Sequence, residues 1–415
     1  MKIAIIGSAI SGLTCAHLLH RQHQVTVFEA SAWVGGHTHT VDVEVGGQQH
    51  AIDTGFIVFN DWTYPNFIQL LDRLGVASQP TEMSFSVHDP VSGIEYNGNN
   101  LNSLFAQRGN LISPAFWRML GDILRFNRQA LADLEHKRIA ADTTLGSYLK
   151  ANHYSRRFVE HYIVPMGSAI WSMSLADMLD FPLQFFVRFC KNHGLLSVNN
   201  RPQWRVIKGG SRSYIAPLTA GFAEQIRTRC PVVRVERDLS GVTVHSTAGS
   251  ERYDRVVFAC HSDQALALLA VPSPAEQAVL GALRYADNDV VLHTDTRLLP
   301  DRPLAWASWN YRLGGSSRQP AAVTYNMNIL QGIHSPTTFC VSLNQTEAIN
   351  PESILGRFSY AHPQYSLAGL AAQSRWQELN GEQHTFYCGA YWGNGFHEDG
   401  VVSAMRVARA LGQQP

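Results

Sequence analysis

Residues 2–12 read KIAIIGSAISG, an apolar run that ends in a glycine-containing turn. A second apolar run, VTVFE at residues 25–29, ends in Glu29. A strand, a tight turn and a helix start in this order present free backbone N–H groups and a positive dipole end to a diphosphate. An acid at the end of the next strand can then reach a ribose hydroxyl. This stretch predicts a dinucleotide-binding α/β unit.

The turn carries Ala9 where the usual pattern has its middle glycine, so one methyl group stands between the backbone and the diphosphate. An ordinary strand-to-helix turn is the alternative. The amphipathic run that follows and the position of Glu29 favour the dinucleotide site. The predicted contacts from the turn and the helix start are Gly7, Ala9, Ile10, Ser11 and Gly12.

The next segments are EASAWVGGHTHT at residues 29–40 and IDTGF at residues 52–56. Here the chain resembles the flavin-containing amine oxidase and phytoene desaturase superfamily. The resemblance implies that FAD, rather than NAD, is the cofactor. It places the Gly35-Gly36 pair near the phosphates and the Asp-x-Gly stretch near the isoalloxazine. The further cofactor contacts it implies are Glu29, Ala30, His37, Thr38, Thr54, Gly55 and Phe56.

His37 stands where the family usually has arginine after the glycine pair. Histidine can donate to a phosphate but carries little charge at neutral pH, so neutralisation of the phosphates by this residue is left open. His37 and His39 would share one face of a strand, without a third ligand nearby. No metal site is predicted.

Two later segments continue the resemblance in the same chain order. Alternating apolar runs between residues 232 and 260 predict a β-meander that returns to the parallel sheet. In the family, the Val233 position packs against the adenine and the Ala259 position lies where the chain passes the cofactor. Both residues could equally be plain core positions.

The closing segment, FYCGAYWGNGFHEDG at residues 386–400, resembles the family's last motif, a strand, a glycine-rich turn that includes Gly389, and a helix that faces the flavin. A helix N-terminus near His397 and Glu398 would stabilise negative charge on reduced flavin. Ala390 replaces the usual acid, so Glu398 or Asp399 would bind the ribityl chain, unless Asp399 caps the helix. The resemblance places Tyr391 and Trp392 before the flavin, although ordinary burial explains them equally well.

The chain has 415 residues, 45% of them hydrophobic and 16% charged, which suffices for two cores. Its 33 basic and 33 acidic residues balance, which gives no reason to expect a nucleic-acid partner. Six scattered cysteines indicate reduced thiols and a cytoplasmic protein. No apolar run approaches the length of a transmembrane helix.

The positions of the motifs predict an α/β fold: a Rossmann-like FAD-binding domain, made of a parallel sheet plus a β-meander, with an inserted α+β substrate domain. The FAD domain would be discontinuous, comprising residues 1–60, 203–272 and 382–415. The substrate domain would comprise residues 61–202, mostly helical, and 273–381.

The cleft between the domains should be apolar. A predicted helix over residues 113–134 and a phenylalanine-rich run over 181–189 could line a tunnel for a lipid chain, or rest on the inner membrane surface. The alternative is that they form the helical core of the substrate domain.

Three functions remain open. GGHTHT at residues 35–40, WSMS at 171–174 and GFHEDG at 395–400 resemble a bacterial amine-oxidase-like branch, in which some members resemble desaturases of methylated fatty acyl chains. The first hypothesis is therefore hydride removal from a lipid carbon by non-covalently bound FAD, with His397 as a candidate base. The second is an amine oxidase, which the absence of lysine after Lys208 disfavours. The third is a flavin-binding protein without turnover.

Overall fold

A computed structural model describes residues 1–197, 199–314 and 318–413. The strands are, in chain order, β1 (Lys2–Ile6), β2 (Gln24–Phe28), β3 (Thr40–Val45), β4 (Gln48–Asp53), β5 (Phe59–Asn60), β6 (Ser78–Pro80), β7 (Phe85–Asp89), β8 (Ile94–Asn97), β9 (Trp204–Ile207), β10 (Ile226–Arg227), β11 (Val232–Asp238), β12 (Gly241–Ser246), β13 (Gly249–Tyr253), β14 (Arg255–Phe258), β15 (Arg284–His293), β16 (Trp309–Arg312), β17 (Val323–Asn326), β18 (Cys340–Leu343), β19 (Ile354–Gln364) and β20 (Thr385–Tyr387).

The α-helices are α1 (Ile10–Leu19), α2 (Pro65–Arg73), α3 (Leu101–Leu104), α4 (Pro114–Glu135), α5 (Leu145–Ala151), α6 (Arg156–Phe158), α7 (Val164–Trp171), α8 (Leu175–Leu179), α9 (Leu183–Asn192), α10 (Ile215–Thr219), α11 (Ser262–Leu268), α12 (Pro274–Leu280), α13 (Met327–Gln331), α14 (Leu367–Gln373), α15 (Trp376–Leu379) and α16 (His397–Ala410). Single-turn 3₁₀ segments lie at Arg108–Ile112, Ser211–Tyr214, Ala223–Gln225, Thr296–Leu298, Pro303–Ala305, Thr346–Ala348, Pro351–Ser353, Glu382–His384 and Ala390–Trp392.

A parallel sheet with the strand order β10-β2-β1-β14-β20 forms the centre of the molecule. Ile3, Ala4 and Ile5 of its middle strand are fully buried because both faces of the sheet are covered. Helices α1 and α16 pack in the hydrophobic cluster on one face. The meander β11–β13 lies in the cluster on the other face. The carboxyl ends of strands that are far apart in sequence therefore meet at one edge.

The predicted fold class is confirmed. The meander forms as expected, and β14 leaves it to pair with β1 from Ile3–Arg255 to Ile6–Phe258. One strand of the meander, β13, was not anticipated. Its sequence, GSERY, is polar and buries only Tyr253, so it carries little hydrophobic periodicity.

A seven-stranded mixed sheet, with the order β19-β15-β18-β17-β16-β7-β8, forms the second part of the molecule. Helices α4 to α9 pack in a separate hydrophobic cluster beside it. Because the strands come from residues 85–97 and 284–364 and the helices from between them, this part is the inserted α+β unit that the sequence predicted.

The helical stretch over residues 156–171 has an irregular interior. A π-helical segment, Val159–Ile163, joins α6 to α7. Pro165 follows it and has no N–H for the carbonyl oxygen of His161, which lies four residues earlier. The Tyr96 hydroxyl donates to that oxygen at 2.6 Å instead. A tertiary hydrogen bond thus fills the position that the proline leaves open.

Packing crosses the predicted domain boundaries. Helix α2 falls in the segment assigned to the substrate domain, yet Phe67, Leu70 and Leu71 lie in the same hydrophobic cluster as α1 and α16. Helix α12 likewise packs with the meander. The boundaries themselves stay a prediction.

We expect the Gly12→Ala substitution to destabilise the protein by about 1–3 kcal/mol through overpacking. A methyl group there would clash with the carbonyl oxygen of Gly7 and lie 3.1 Å from the Ala259 side chain. Gly121 in α4 is a matched control because a methyl group there meets nothing within 4 Å. Gly121→Ala should stabilise the helix by up to about 1 kcal/mol. Urea unfolding of both variants measures the difference, and equal effects would contradict this account of α1 packing.

Candidate functional site

The turn between β1 and α1 is shaped by close backbone contacts. Gly7 has a φ of +108°, and a side chain there would lie 3.0 Å from the backbone of Ala259. The methyl group of Ala9 packs toward Gly36, where an added Cβ would lie 2.8 Å away. The pair Gly35-Gly36 therefore packs against Ala9, the residue at which the turn departs from the usual motif. The two segments form one wall.

Glu29 braces this turn. One carboxylate oxygen accepts hydrogen bonds from the backbone N–H of Ser8 at 3.0 Å and from its hydroxyl at 2.6 Å. The other accepts from the backbone N–H of Ser31 at 2.7 Å and from its hydroxyl at 2.8 Å. The acid lies beside the turn as the motif requires, and a ribose at this place would share the carboxylate with the two serines.

His37 lies in a cluster of rings. Its ring centroid is 5.0 Å from that of Tyr360, 5.6 Å from that of His362 and 6.0 Å from that of His261. Burial, followed by the neighbouring His261, lowers the pKa of His37 to about 4. Burial also lowers the pKa of His261 to about 4 and that of His362 to about 3. These imidazoles are therefore neutral at pH 7.

The two glycine-rich motifs meet where α16 begins. A side chain at Gly400 would lie 2.7 Å from the Ile10 side chain, so the N-termini of α1 and α16 are adjacent. His397, the first residue of α16, stacks on Phe56 with ring centroids 3.4 Å apart and an angle of 14°. Its Nε2 lies 3.0 Å from the Thr38 hydroxyl.

The carboxylates that follow His397 are engaged within the protein. Glu398 accepts from the backbone N–H groups of Asn66 at 3.2 Å and Phe67 at 2.9 Å, at the start of α2. Asp399 accepts from the Phe396 N–H at 3.0 Å, which is the capping role that the sequence left open. Neither residue lines the cavity described next. The ribityl role of Glu398 stays a prediction.

A cavity opens between the parallel sheet and the mixed sheet, with about 1300 Å³ of empty space that includes its open mouth. The predicted residues that the structure brings together on its wall are Ala9, Ile10, Ser11, Gly35, His37, Gly55, Phe56, Ala259, Gly389, Tyr391 and His397. Of the residues that line it in the described part of the chain, none is aspartate, glutamate, lysine or arginine. Its polar groups are neutral.

Other predicted residues lie outside this wall. Gly7, Gly12, Gly36, Thr38 and Thr54 support it from behind, and Ala30 is exposed. Val233 is 58% exposed on β11, at an irregularity in the strand register. Trp392 packs in the core beside the meander, so the structure brings Tyr391 to the cavity and leaves Trp392 behind it.

The sequence missed most of the opposite wall. It consists of rings and of residues that flank them, namely Trp171, His261, Tyr285, Trp309, Tyr325 and His362. Trp171 belongs to the WSMS segment at residues 171–174. Tyr285, Trp309, Tyr325 and His362 lie on strands of the second insertion, and His261 follows β14 of the parallel sheet, where no local motif marks them as cavity residues.

These residues fit FAD. Two helix N-termini and positive-φ glycines suit a diphosphate, and the cavity continues from Ala9 to Tyr391. Tyr391 and Trp171 line the cavity and are more than nine-tenths buried. Within the described residues, the Tyr391 hydroxyl and the Trp171 indole N–H have no hydrogen-bond partner. Buried donors without a partner are uncommon in native proteins, and a bound polar cofactor would account for them.

Fold and site together define a dinucleotide-binding flavoprotein with an inserted substrate unit. A family model described as flavin containing amine oxidoreductase matches residues 10–318. The chain belongs to this family of flavin-containing oxidoreductases.

Known relatives agree with the family and are distant. A Mycobacterium tuberculosis protein named as a flavin-containing monoamine oxidase, AofH, is 25% identical over 280 residues. The match covers 62% of this chain and 56% of AofH, so the chain spans little more than half of that relative.

Two solved structures share the fold. Cyclohexylamine oxidase from Brevibacterium oxydans IH-35A is 15% identical, with a TM-score of 0.67 over 99% of this chain and 98% of the other. A fatty acid isomerase from P. acnes that produces CLA is also 15% identical, with a TM-score of 0.67 over 98% of each chain. At this identity the likeness establishes the fold alone.

The cavity histidines predict loss of stability in acid. In the unfolded chain a histidine takes up a proton near pH 6.5, whereas burial keeps His37, His261 and His362 neutral down to about pH 4. The free energy of unfolding should therefore fall between about pH 6.5 and 4. Asp53 and Asp399 oppose this trend because burial raises their pKa to about 6. Urea unfolding at pH 7.5 and pH 5 measures the difference.

A pair of variants isolates the contribution of the cavity. His362→Gln should reduce the fall in stability by about 2 kcal/mol, since it removes one buried titratable group. His334 is exposed, so His334→Gln serves as the control and should leave the fall as in the wild type. An unchanged pH dependence in His362→Gln would contradict the assignment.

Proposed function

We propose that this protein removes a hydride from a carbon of a hydrophobic, uncharged substrate, such as a fatty acyl chain, and yields a desaturated product. The observation that supports this proposal is the composition of the cavity wall. Among the described residues it presents aromatic and aliphatic side chains and neutral imidazoles, without a charged side chain. An uncharged chain is not penalised there, whereas a cation would lose its hydration without gaining a carboxylate partner.

The reductive half of the reaction needs no reagent other than the flavin and a base. One carbon loses a hydride to the flavin, the neighbouring carbon loses a proton, and a carbon–carbon double bond forms. Bound FAD supplies the two-electron acceptor. The chain orients the substrate between Trp171, Tyr285 and Trp309 and excludes water. The proton goes to a base, for which His397 is the candidate from the sequence and His37 and His362 are further neutral imidazoles on the wall.

The N-terminus of α16 would stabilise the negative charge that develops on the acceptor. His397 lines the cavity as the first residue of that helix, so the free N–H groups of its first turn lie beside the ligand. This contribution comes from the backbone. It needs no charged side chain.

Amine oxidation is the second candidate. AofH and cyclohexylamine oxidase bear names of amine oxidases, and the aromatic wall could also hold a neutral amine. A neutral amine needs no separate base. Against this reading, the chain contains no lysine after Lys208, where amine oxidases of the superfamily commonly place a lysine near the flavin.

We also propose that the protein is cytoplasmic and docks on the anionic inner surface of a membrane. Four large exposed apolar side chains occur within residues 101–117, with Ile112 87% exposed; they are Leu101, Leu111, Ile112 and Trp117, here called the α3–α4 patch. Arg108 and Arg118 are the only charged residues between positions 96 and 121. Apolar and cationic side chains together suit an anionic bilayer. Among the described residues, no helix is long and apolar enough to span a membrane.

The substrate test is anaerobic absorbance of the protein-bound flavin with two panels, methylated or cyclopropane fatty acyl lipids and simple amines. We expect bleaching by a lipid and none by amines. Bleaching by an amine alone would favour the second candidate. A flavin that neither panel reduces would favour a flavin-binding protein without turnover.

A variant pair sharpens this test. Ile170 lines the cavity, and Ile170→Asp would introduce a buried carboxylate that should slow reduction by lipid at least about tenfold. Ile170→Val keeps the wall apolar and should react within about twofold of the wild type. Equal rates in both variants would contradict binding of the lipid chain in this cavity.

Co-sedimentation with vesicles tests the α3–α4 patch. We expect binding to vesicles that contain phosphatidylglycerol, weaker binding at high salt, and about tenfold weaker binding of Ile112→Glu. Leu239 lies fully exposed in the turn between β11 and β12, so Leu239→Glu is the control and should bind as the wild type does. Equal loss in both variants, or no binding by the wild type, would overturn the proposal.

A further inference from the structure

His397 belongs to a buried group of three hydrogen-bonding side chains. Its Nε2 lies 3.0 Å from the Thr38 hydroxyl oxygen and 3.2 Å from that of Tyr214. The two hydroxyl oxygens are 2.5 Å apart. Thr38 and Tyr214 are buried to within 1% of complete, so water does not compete for these hydrogens. Phe56 fixes the plane of the imidazole by stacking on it.

A count of hydrogens decides the tautomer. Each hydroxyl has one hydrogen to donate. If Nε2 is unprotonated, one hydroxyl donates to the other and the second donates to Nε2, so both hydrogens are used. If Nε2 carries the proton, it donates to one oxygen, and one of the two hydroxyls is left without an acceptor within the group. Buried donors without acceptors are avoided, which favours the unprotonated Nε2.

We propose that Thr38 and Tyr214 are positioning residues that hold His397 as its Nδ1–H tautomer, and that this N–H is a neutral hydrogen-bond donor to the flavin. His397 lines the cavity while its Nε2 is engaged by the two hydroxyls, so Nδ1 is the nitrogen left for a ligand. The donor adds to the N–H groups of α16. It stabilises reduced flavin more than oxidised flavin, because reduction increases the negative charge of the ring.

Burial holds the pKa of His397 well below its usual range, so the ring acts as an oriented dipole and not as a cation. A nitrogen that already carries a proton cannot accept another. The proposal therefore assigns the base in the proposed reaction to a group other than Nδ1 of His397, for which His37 and His362 are the imidazoles on the same wall.

The wild-type protein provides the first test. Histidine labelled with ¹⁵N gives distinct signals for protonated and unprotonated ring nitrogens, and the His397 signals can be identified by their contacts with the Phe56 ring. We expect a protonated Nδ1 and an unprotonated Nε2 in apoprotein and holoprotein. A protonated Nε2 would overturn the proposal, whether or not any variant folds.

The second test is the two-electron midpoint potential of the bound flavin. In the double variant Thr38→Val/Tyr214→Phe, Nε2 loses both donors and the tautomer is no longer fixed. We expect the preference for reduced flavin to fall about tenfold, which corresponds to about 30 mV for two electrons. Thr38→Ser retains the hydroxyl and should keep the wild-type potential.

An unchanged potential in a folded, flavin-loaded double variant would overturn the proposal. Neither measurement uses a substrate, so the outcome is independent of whether lipids or amines are oxidised. If the midpoint potential also fell in Thr38→Ser, the change would be a packing effect and would likewise contradict the hydrogen-bond account.

Discussion

The site depends on the close approach of helix N-termini at one edge of the parallel sheet. Helices α1 and α16 touch through Ile10 and Gly400, and α2 begins beside α16. Positive dipole ends that lie this close disfavour one another unless negative charge lies between them. Glu398 supplies it to α2 and Asp399 to α16, whereas the first turn of α1 contains no acid. The carboxylate of Glu29, which lies beside this turn, is bound to Ser8 and Ser31. The N–H groups of the first turn of α1 are thus left for an anionic ligand, which agrees with a diphosphate at this place.

The same arrangement explains how a cavity without charged side chains can suit a redox cofactor. A charged residue in the wall would require a partner or water, and both would occupy space inside the cavity. Backbone N–H groups and neutral imidazoles avoid this cost because they are dipoles that remain in place when the ligand gains charge. The imidazoles stay neutral through burial among Tyr360, Phe56 and each other. The polar groups of the site therefore act as oriented dipoles without a net charge.

The sequence predicted those parts of the site that short, local motifs form. The turn at Gly7, the pair Gly35-Gly36 and the start of α16 at His397 each lie within a short motif that can be recognised in the sequence. The far wall could not be located in this way. Tyr285, Trp309 and Tyr325 lie on strands of the mixed sheet, whose assembly depends on pairings between distant segments. One of these joins β7 to β16 across more than 200 residues near one edge of the sheet. Aromatic residues on strands are common in any core, so their spacing carried no signal.

Asp53 belongs to the Asp-x-Gly motif, yet it does not line the cavity that the motif helps to form. The acid of the Asp-x-Gly stretch turns away from the cavity and accepts hydrogen bonds from Thr40 at 2.6 Å and from the Ser211 N–H at 2.8 Å. Its other oxygen accepts from the Gln331 side chain of α13 at 3.2 Å, while its backbone N–H donates to the same side chain. One buried carboxyl thereby joins Thr40 and Ser211 of the cofactor unit to α13 of the inserted unit. Because Gly55 and Phe56 follow two and three residues later, this contact to the inserted unit lies next to the backbone that forms the cavity wall.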